Sequence, residues 1–135
     1  GSLGAQLKTV EDIMLTGNKI PFVNEKVQVK EALKILSEKK LGILIVRNFK
    51  KKTVGIITDG QIRRISQKDL NFQDLSVENI MTKKPIAIEK NELAVKALSL
   101  MNRKKITSLA VFNKKKPLTT IGVVHVHTSL QSNIS

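Results

Sequence analysis

Gly55-Ile56-Ile57-Thr58-Asp59-Gly60-Gln61-Ile62-Arg63-Arg64 is the stretch on which the reading of this chain turns. It opens as a short apolar strand, meets a hydroxyl and a carboxylate, turns through a glycine and continues into a helix start that carries two arginines. Thr58 or Asp59 can serve as the N-cap, because either side chain accepts from the orphan N–H groups of a first helical turn. A helix N-terminus is also where an anion is held at least cost. The stretch therefore reads as one wall of a ligand site, with Arg63 and Arg64 as first-turn cations beside it.

Working outward, residues 41–46 form a nearly continuous apolar run, the pattern of a buried strand. A basic turn, residues 47–52, leads from it into the strand at 53–58, so the two strands read as a hairpin. Upstream, Val29, Ala32, Leu33, Ile35 and Leu36 recur at three- and four-residue spacing and predict an amphipathic helix over 29–39. Before it lie a short strand around Ile20-Pro21-Phe22-Val23, a polar turn at Thr16-Gly17-Asn18-Lys19 and a single helical turn at Val10-Glu11-Asp12-Ile13-Met14. Residues 1–9 hold too few apolar side chains to pack and read as a linker or a tag.

The chain then repeats. Val77-Glu78-Asn79-Ile80-Met81 copies Val10-Glu11-Asp12-Ile13-Met14 at an offset of 67, and Thr120-Ile121-Gly122-Val123-Val124 answers Thr53-Val54-Gly55-Ile56-Ile57 at the same offset. Between these copies come a proline-bearing strand at Lys84-Pro85-Ile86-Ala87-Ile88, a helix over 93–101, a buried strand at 109–112 and a basic turn at 113–117. A last helix is predicted from about residue 127. The expected fold is α+β (α/β), two βαββα repeats with boundaries at 10–68 and 77–135 and a connector at 69–76. A half of about sixty residues is too small to bury an adequate core alone. The halves are expected to pack as a pseudo-twofold pair, with clefts lined by strand ends and helix starts.

Composition narrows the function classes. No apolar run approaches the roughly 18 residues of a membrane span and no signal-peptide pattern opens the chain, so a cytoplasmic protein with no membrane partner is expected. With no cysteine, disulfides and thiolate metal sites are excluded. The formal charge is +13, but 20 of the 24 basic residues are lysine and the only aromatics are phenylalanine. Nucleic-acid modules add arginine forks and stacking aromatics, so nucleic acid is the less favoured partner and a small anionic ligand suits the charge better.

Ile13-Met14, Ile80-Met81-Thr82, the element order and Gly55-x-x-Thr58 resemble a tandem pair of CBS domains, the cystathionine-beta-synthase type of regulatory module. Within that family, Asp12-Ile13-Met14-x-Thr16-Gly17-x-x-Ile20-Pro21, Thr58-Asp59-Gly60-x-x-Arg63-Arg64, Ile106-Thr107-Ser108 and His125-x-His127 are similar to the C-terminal pair of bacterial arabinose 5-phosphate isomerases of the KpsF/KdsD type. The resemblance implies a parent isomerase of the Kdo and lipopolysaccharide pathway, with its catalytic sugar-isomerase domain N-terminal to this chain. Nothing here supplies the paired acid and base that moving a proton on a sugar phosphate requires. The fragment is therefore expected to be no enzyme, with no catalytic residues, but a regulatory module binding an anionic nucleotide or nucleotide-sugar effector such as CMP-Kdo or an adenine nucleotide. It is also expected to form a homodimer, and a higher oligomer in the parent enzyme. The competing class is an architectural dimerisation module without a ligand.

In CBS pairs the ribose meets the Thr and Asp of a Gly-x-x-Thr-x-x-Asp pattern, and the base lies against the proline-bearing strand. Here Thr58 matches the hydroxyl position and Gln61 stands at the carboxylate position. In the second half His125 and Thr128 take those two places. A neutral side chain grips two ribose hydroxyls less strongly than a carboxylate does. Asp59 reads either as a helix cap or as a substitute carboxylate; Arg63 and Arg64 read as a solvated face or as phosphate ligands. Thr107 and Ser108 are strand-start caps or contacts. His125 and His127 alternate on one face and are assigned to an anion rather than a metal, for want of a third ligand. With Lys84 and Pro85, these residues complete the candidate ligand-binding set. Lys50-Lys51-Lys52 and Lys114-Lys115-Lys116 read as exposed hairpin turns, and Met14, Met81 and Met101 as core.

Overall fold

The computed structural model describes residues 7–127. The chain divides into two compact units, one formed by Pro21–Pro85 and the other by the segment up to Ile20 together with the chain from Ile86 onward.

The Pro21–Pro85 unit is built on a three-stranded sheet of β1 (Phe22–Asn24), β2 (Ile43–Arg47) and β3 (Thr53–Thr58). β1 runs parallel to β2, and β2 antiparallel to β3 with a register shift between Val46 and Arg47. The crossover between the parallel strands is α2 (Val29–Lys39), which buries Val29, Ala32 and Leu36. Its last carbonyls close onto Lys40, which stands in the left-handed region at φ 59 where glycine is the usual choice. After β3 comes α3 (Asp59–Lys68). Ala32, Leu36, Leu44, Val46, Ile57 and Val77 form the core, with Ile62 and Met81 packed on its edge. Burying these side chains contributes on the order of 1.5–3 kcal/mol for each large aliphatic one.

The second unit repeats this plan. β4 (Ala87–Glu89) pairs parallel with β5 (Ser108–Asn113), which pairs antiparallel with β6 (Lys116–His125). The crossover is α4 (Ala94–Lys104), ending at Lys105 with φ 57, the counterpart of Lys40. α1 (Val10–Ile13) places Val10 and Ile13 in the core beside Ala97, Met101 and Val124. The helix expected from residue 127 falls mostly outside the described residues.

Each opening turn is housed with the sheet of the other sequence repeat. Leu15 and Val123 exchange both backbone hydrogen bonds, at 2.8 and 3.0 Å, which ties residues 9–15 to β6. Ile56 and Thr82 do the same at 3.0 and 2.8 Å, which ties residues 76–82 to β3. Glycine makes each junction possible. A Cβ on Gly55 would stand 2.7 Å from Met81 Sδ and from the Thr82 carbonyl oxygen, and one on Gly122 would strike Met14 Sδ. Met14 and Met81 thus fill notches that glycine leaves in the strands, in keeping with their reading as core. Pro21 and Pro85 precede β1 and β4; Pro21, which has no N–H to give, still offers its carbonyl to the Ile45 N–H at 2.9 Å.

Candidate functional site

At the end of β3 the N-cap of α3 is Thr58, not Asp59. Thr58 keeps an extended backbone and its Oγ1 accepts from the Gln61 N–H at 3.3 Å, while Gln61 Oε1 accepts from the Thr58 N–H at 2.9 Å. This is a reciprocal capping box, with Gln61 at the third helical position. Asp59 is already helical, so its carboxylate is released from capping and is exposed; its N–H donates to the Gly42 carbonyl at 3.1 Å.

Gln61 does a second task. Its Nε2 donates to Thr82 Oγ1 at 2.8 Å and to the Ile80 carbonyl at 3.4 Å. The side chain at the position of the expected ribose carboxylate is thus spent on holding the helix start to the segment that leads into Lys84 and Pro85. Lys84 is exposed with φ 69, and Pro85 is half-buried.

Arg63 and Arg64 sit in the second turn of α3 rather than the first, because the cap falls at Thr58. Both are exposed, and among the described residues neither has a carboxylate within ion-pair distance. Arg64 nonetheless reaches the first turn: its Nη1 lies 3.3 Å from where a Cβ on Gly60 would stand. Gly60 therefore leaves room for a guanidinium folded back over the helix start. A cation there opposes the helix dipole, and an added anion satisfies both.

The other candidate residues gather in the second unit. Ser108 is buried and pairs directly with His125 across β5 and β6. It is the first residue of β5 rather than a residue before it, and exposed Thr107 precedes it. The Thr107 carbonyl accepts from the Val126 N–H at 2.9 Å. His125 Nδ1 accepts from the His127 N–H at 3.2 Å, and the two rings stand 5.0 Å apart, tilted by 41°. His125 has a lowered pKa, chiefly from burial and secondarily from the charge of His127. Thr128 lies outside the described residues. Among those described, no cluster of three His, Cys, Asp or Glu side chains could hold a metal ion.

The structure thus places Thr58, Asp59, Gln61, Arg63, Arg64, Lys84 and Pro85 in one unit, and Thr107, Ser108, His125 and His127 in the other. Two features escaped sequence reasoning: the Gln61–Thr82 tie, and an open groove of about 710 Å³ in the second unit lined by Leu98, Asn102, Lys105, Ile106, Thr107 and Val126. Neither has a local signal, since each depends on residues brought together by the fold.

A three-stranded sheet and an opening segment borrowed from the other repeat occur in both units, which defines a duplicated module. The family model for the CBS domain matches residues 10–68 and 77–128, and the chain belongs to that family as a tandem pair. It is 34% identical over 135 residues to arabinose 5-phosphate isomerase KdsD of Yersinia pestis, a match that takes in 99% of this chain and 40% of that protein. The chain therefore spans about two fifths of the length of such curated relatives, and its residues correspond to their CBS pair and not to the remainder.

Solved structures agree on the fold. CBSX2 in complex with AMP superposes with a TM-score of 0.79 at 21% identity, covering 94% of this chain and 96% of that one. The CBS domain pair of protein MJ0100 in complex with 5-methylthioadenosine and S-adenosyl-L-methionine gives 0.78 at 22% identity, covering 93% and 94%.

Proposed function

We propose that the chain is the regulatory, ligand-binding CBS pair of an arabinose 5-phosphate isomerase, and that its effector is an anionic nucleotide or nucleotide sugar, CMP-Kdo or an adenine nucleotide. The observation that carries the proposal is the start of α3, where the Arg64 guanidinium is folded over Gly60 and, among the described residues, neither Arg63 nor Arg64 has a carboxylate partner. Thr58 and Asp59 border the same turn, and Lys84 follows the segment that Gln61 holds. The identity to KdsD supports the parent activity, and AMP bound to CBSX2 supports a nucleotide as ligand class. On this reading the second unit contributes Thr107, Ser108, His125 and His127 to a related site, and the chain functions as a homodimer.

Calorimetric titration of the chain with AMP, ATP and CMP-Kdo tests the reading. At least one is expected to bind, with Arg64→Ala weakening that binding by roughly tenfold or more, the worth of a charge-assisted hydrogen bond. Absence of heat from all three would leave the architectural role.

A further inference from the structure

The two hairpin tips carry a chemistry that the ligand site does not use. In the β2–β3 hairpin, Asn48 Oδ1 accepts from the Lys50 and Lys52 N–H groups, both at 3.0 Å, and the Lys51 N–H donates to the Asn48 carbonyl at 2.9 Å. This stiffened turn holds Phe49 82% exposed beside the exposed Lys50, Lys51 and Lys52. Below it, the Arg47 guanidinium lies 3.7 Å over the Phe22 ring.

The β5–β6 hairpin repeats the arrangement. Asn113 Oδ1 accepts from the Lys115 N–H at 3.1 Å, and the Glu89 carboxylate accepts from the Lys114 N–H at 2.8 Å. Lys114, Lys115 and Lys116 are exposed, with Leu118 following at 60% exposure. None of these six lysines takes part in an ion pair among the described residues. Each tip thus sets a large apolar side chain, Phe49 in the turn and Leu118 in β6 just after it, beside three exposed lysines, with the Glu89 carboxylate near Lys114.

We propose that each tip is a docking element for an anionic phospholipid surface, with Phe49 at one and Leu118 at the other entering the headgroup boundary and the flanking lysines meeting lipid phosphates. The net charge of +13 complements such a surface. Leu118 decides between a bilayer and a nucleic acid, because an aliphatic side chain partitions into lipid but offers no π face for a base. The lysines act as point charges, which suits a diffuse field of headgroups. The lack of a membrane-crossing helix among the described residues bears only on spanning, and surface docking requires none.

The chain has no tryptophan or tyrosine, so Phe49→Trp gives a single fluorophore at the tip. In flotation assays the protein is expected to bind vesicles of phosphatidylcholine with phosphatidylglycerol, to ignore phosphatidylcholine alone, and to release as salt rises. The indole of Phe49→Trp should shift to the blue on the anionic vesicles. Replacing Lys50, Lys51 and Lys52 by Gln should lower affinity about a hundredfold, at about fivefold for each lysine. The same charge removed at the exposed Lys19, Lys68 and Lys104 should cost far less. Failure to bind anionic vesicles overturns the proposal, as does an equal loss in both triple variants or an unchanged emission on bound protein. A fluorophore that responds to single-stranded RNA and not to vesicles would reassign the tips to nucleic acid.

Discussion

Replacing Gly55 by alanine tests the joint on which the first unit depends. The new methyl group would stand 2.7 Å from Met81 Sδ, 2.8 Å from Met81 Cγ and 2.7 Å from the Thr82 carbonyl oxygen. Carbon contacts are comfortable at about 3.5–4.0 Å, so the overlap is close to an ångström. Met81 can swing aside because its side chain is flexible. The Thr82 carbonyl cannot, since it accepts from Ile56 N–H at 3.0 Å while Thr82 N–H donates back at 2.8 Å. Overpacking of this kind costs about 1–3 kcal/mol, and weakening the paired hydrogen bonds adds about 1 kcal/mol. Urea unfolding followed by far-ultraviolet circular dichroism should therefore show a midpoint lowered by on the order of 1 M. Adding Met81→Ala should recover only part of the loss, because the backbone clash remains. Gly17→Ala, at a position with open space and φ 60, should cost no more than the roughly 1–2 kcal/mol of the left-handed conformation. A Gly55→Ala protein with an unchanged midpoint would refute the reasoning, and full recovery by Met81→Ala would refute its backbone part.

Gly60→Ala should behave in the opposite sense. Its Cβ comes tight only against the flexible end of Arg64, at 3.3 Å, with Thr58 Oγ1 at an ordinary 3.9 Å, so helix stability should rise by about 0.5–1 kcal/mol while the displaced guanidinium weakens effector binding in titration calorimetry. For His125 the sign follows from its lowered pKa: the unfolded chain takes up the proton first, near the ordinary value of 6.5, so stability is intact above that pH and falls as pH drops through the folded value. Unfolding midpoints measured from about pH 7 down to about pH 5 should decline in the parent chain and flatten in His125→Asn.

Much of this architecture is legible from spacing alone. Val29, Ala32 and Leu36 recur at helical period and are the buried face of α2, and the offset between the two glycine strands announces the duplication. What escapes is decided by which of several local partners answers, or at long range. Thr58 caps α3 because Gln61 answers it three residues on, a choice that Asp59 would shift by one; the same choice moves Arg63 and Arg64 into the second turn. Lys40 and Lys105 end their helices in a conformation that usually signals itself through glycine. The exchange of opening segments has no periodic mark, since Leu15 and Val123, and Ile56 and Thr82, are distant in sequence and meet only in the fold.

The tie made by Gln61 also bears on what the proposed effector would encounter. The amide gives its oxygen to the Thr58 N–H and its nitrogen to Thr82 and the Ile80 carbonyl, so both ends are engaged within the unit. A ribose placed at this helix start would meet no carboxylate at position 61, and on the proposed reading the charged groups for a ligand there are Asp59, Arg63 and Arg64, with Lys84 beyond the segment that Gln61 holds. Recognition on the proposed reading therefore rests on phosphate or sugar-acid charge more than on a diol grip. Exposed charges of that kind are screened over about 10 Å at 0.1 M salt. Effector affinity should accordingly follow the number of anionic groups on the ligand and not the presence of an adenosine.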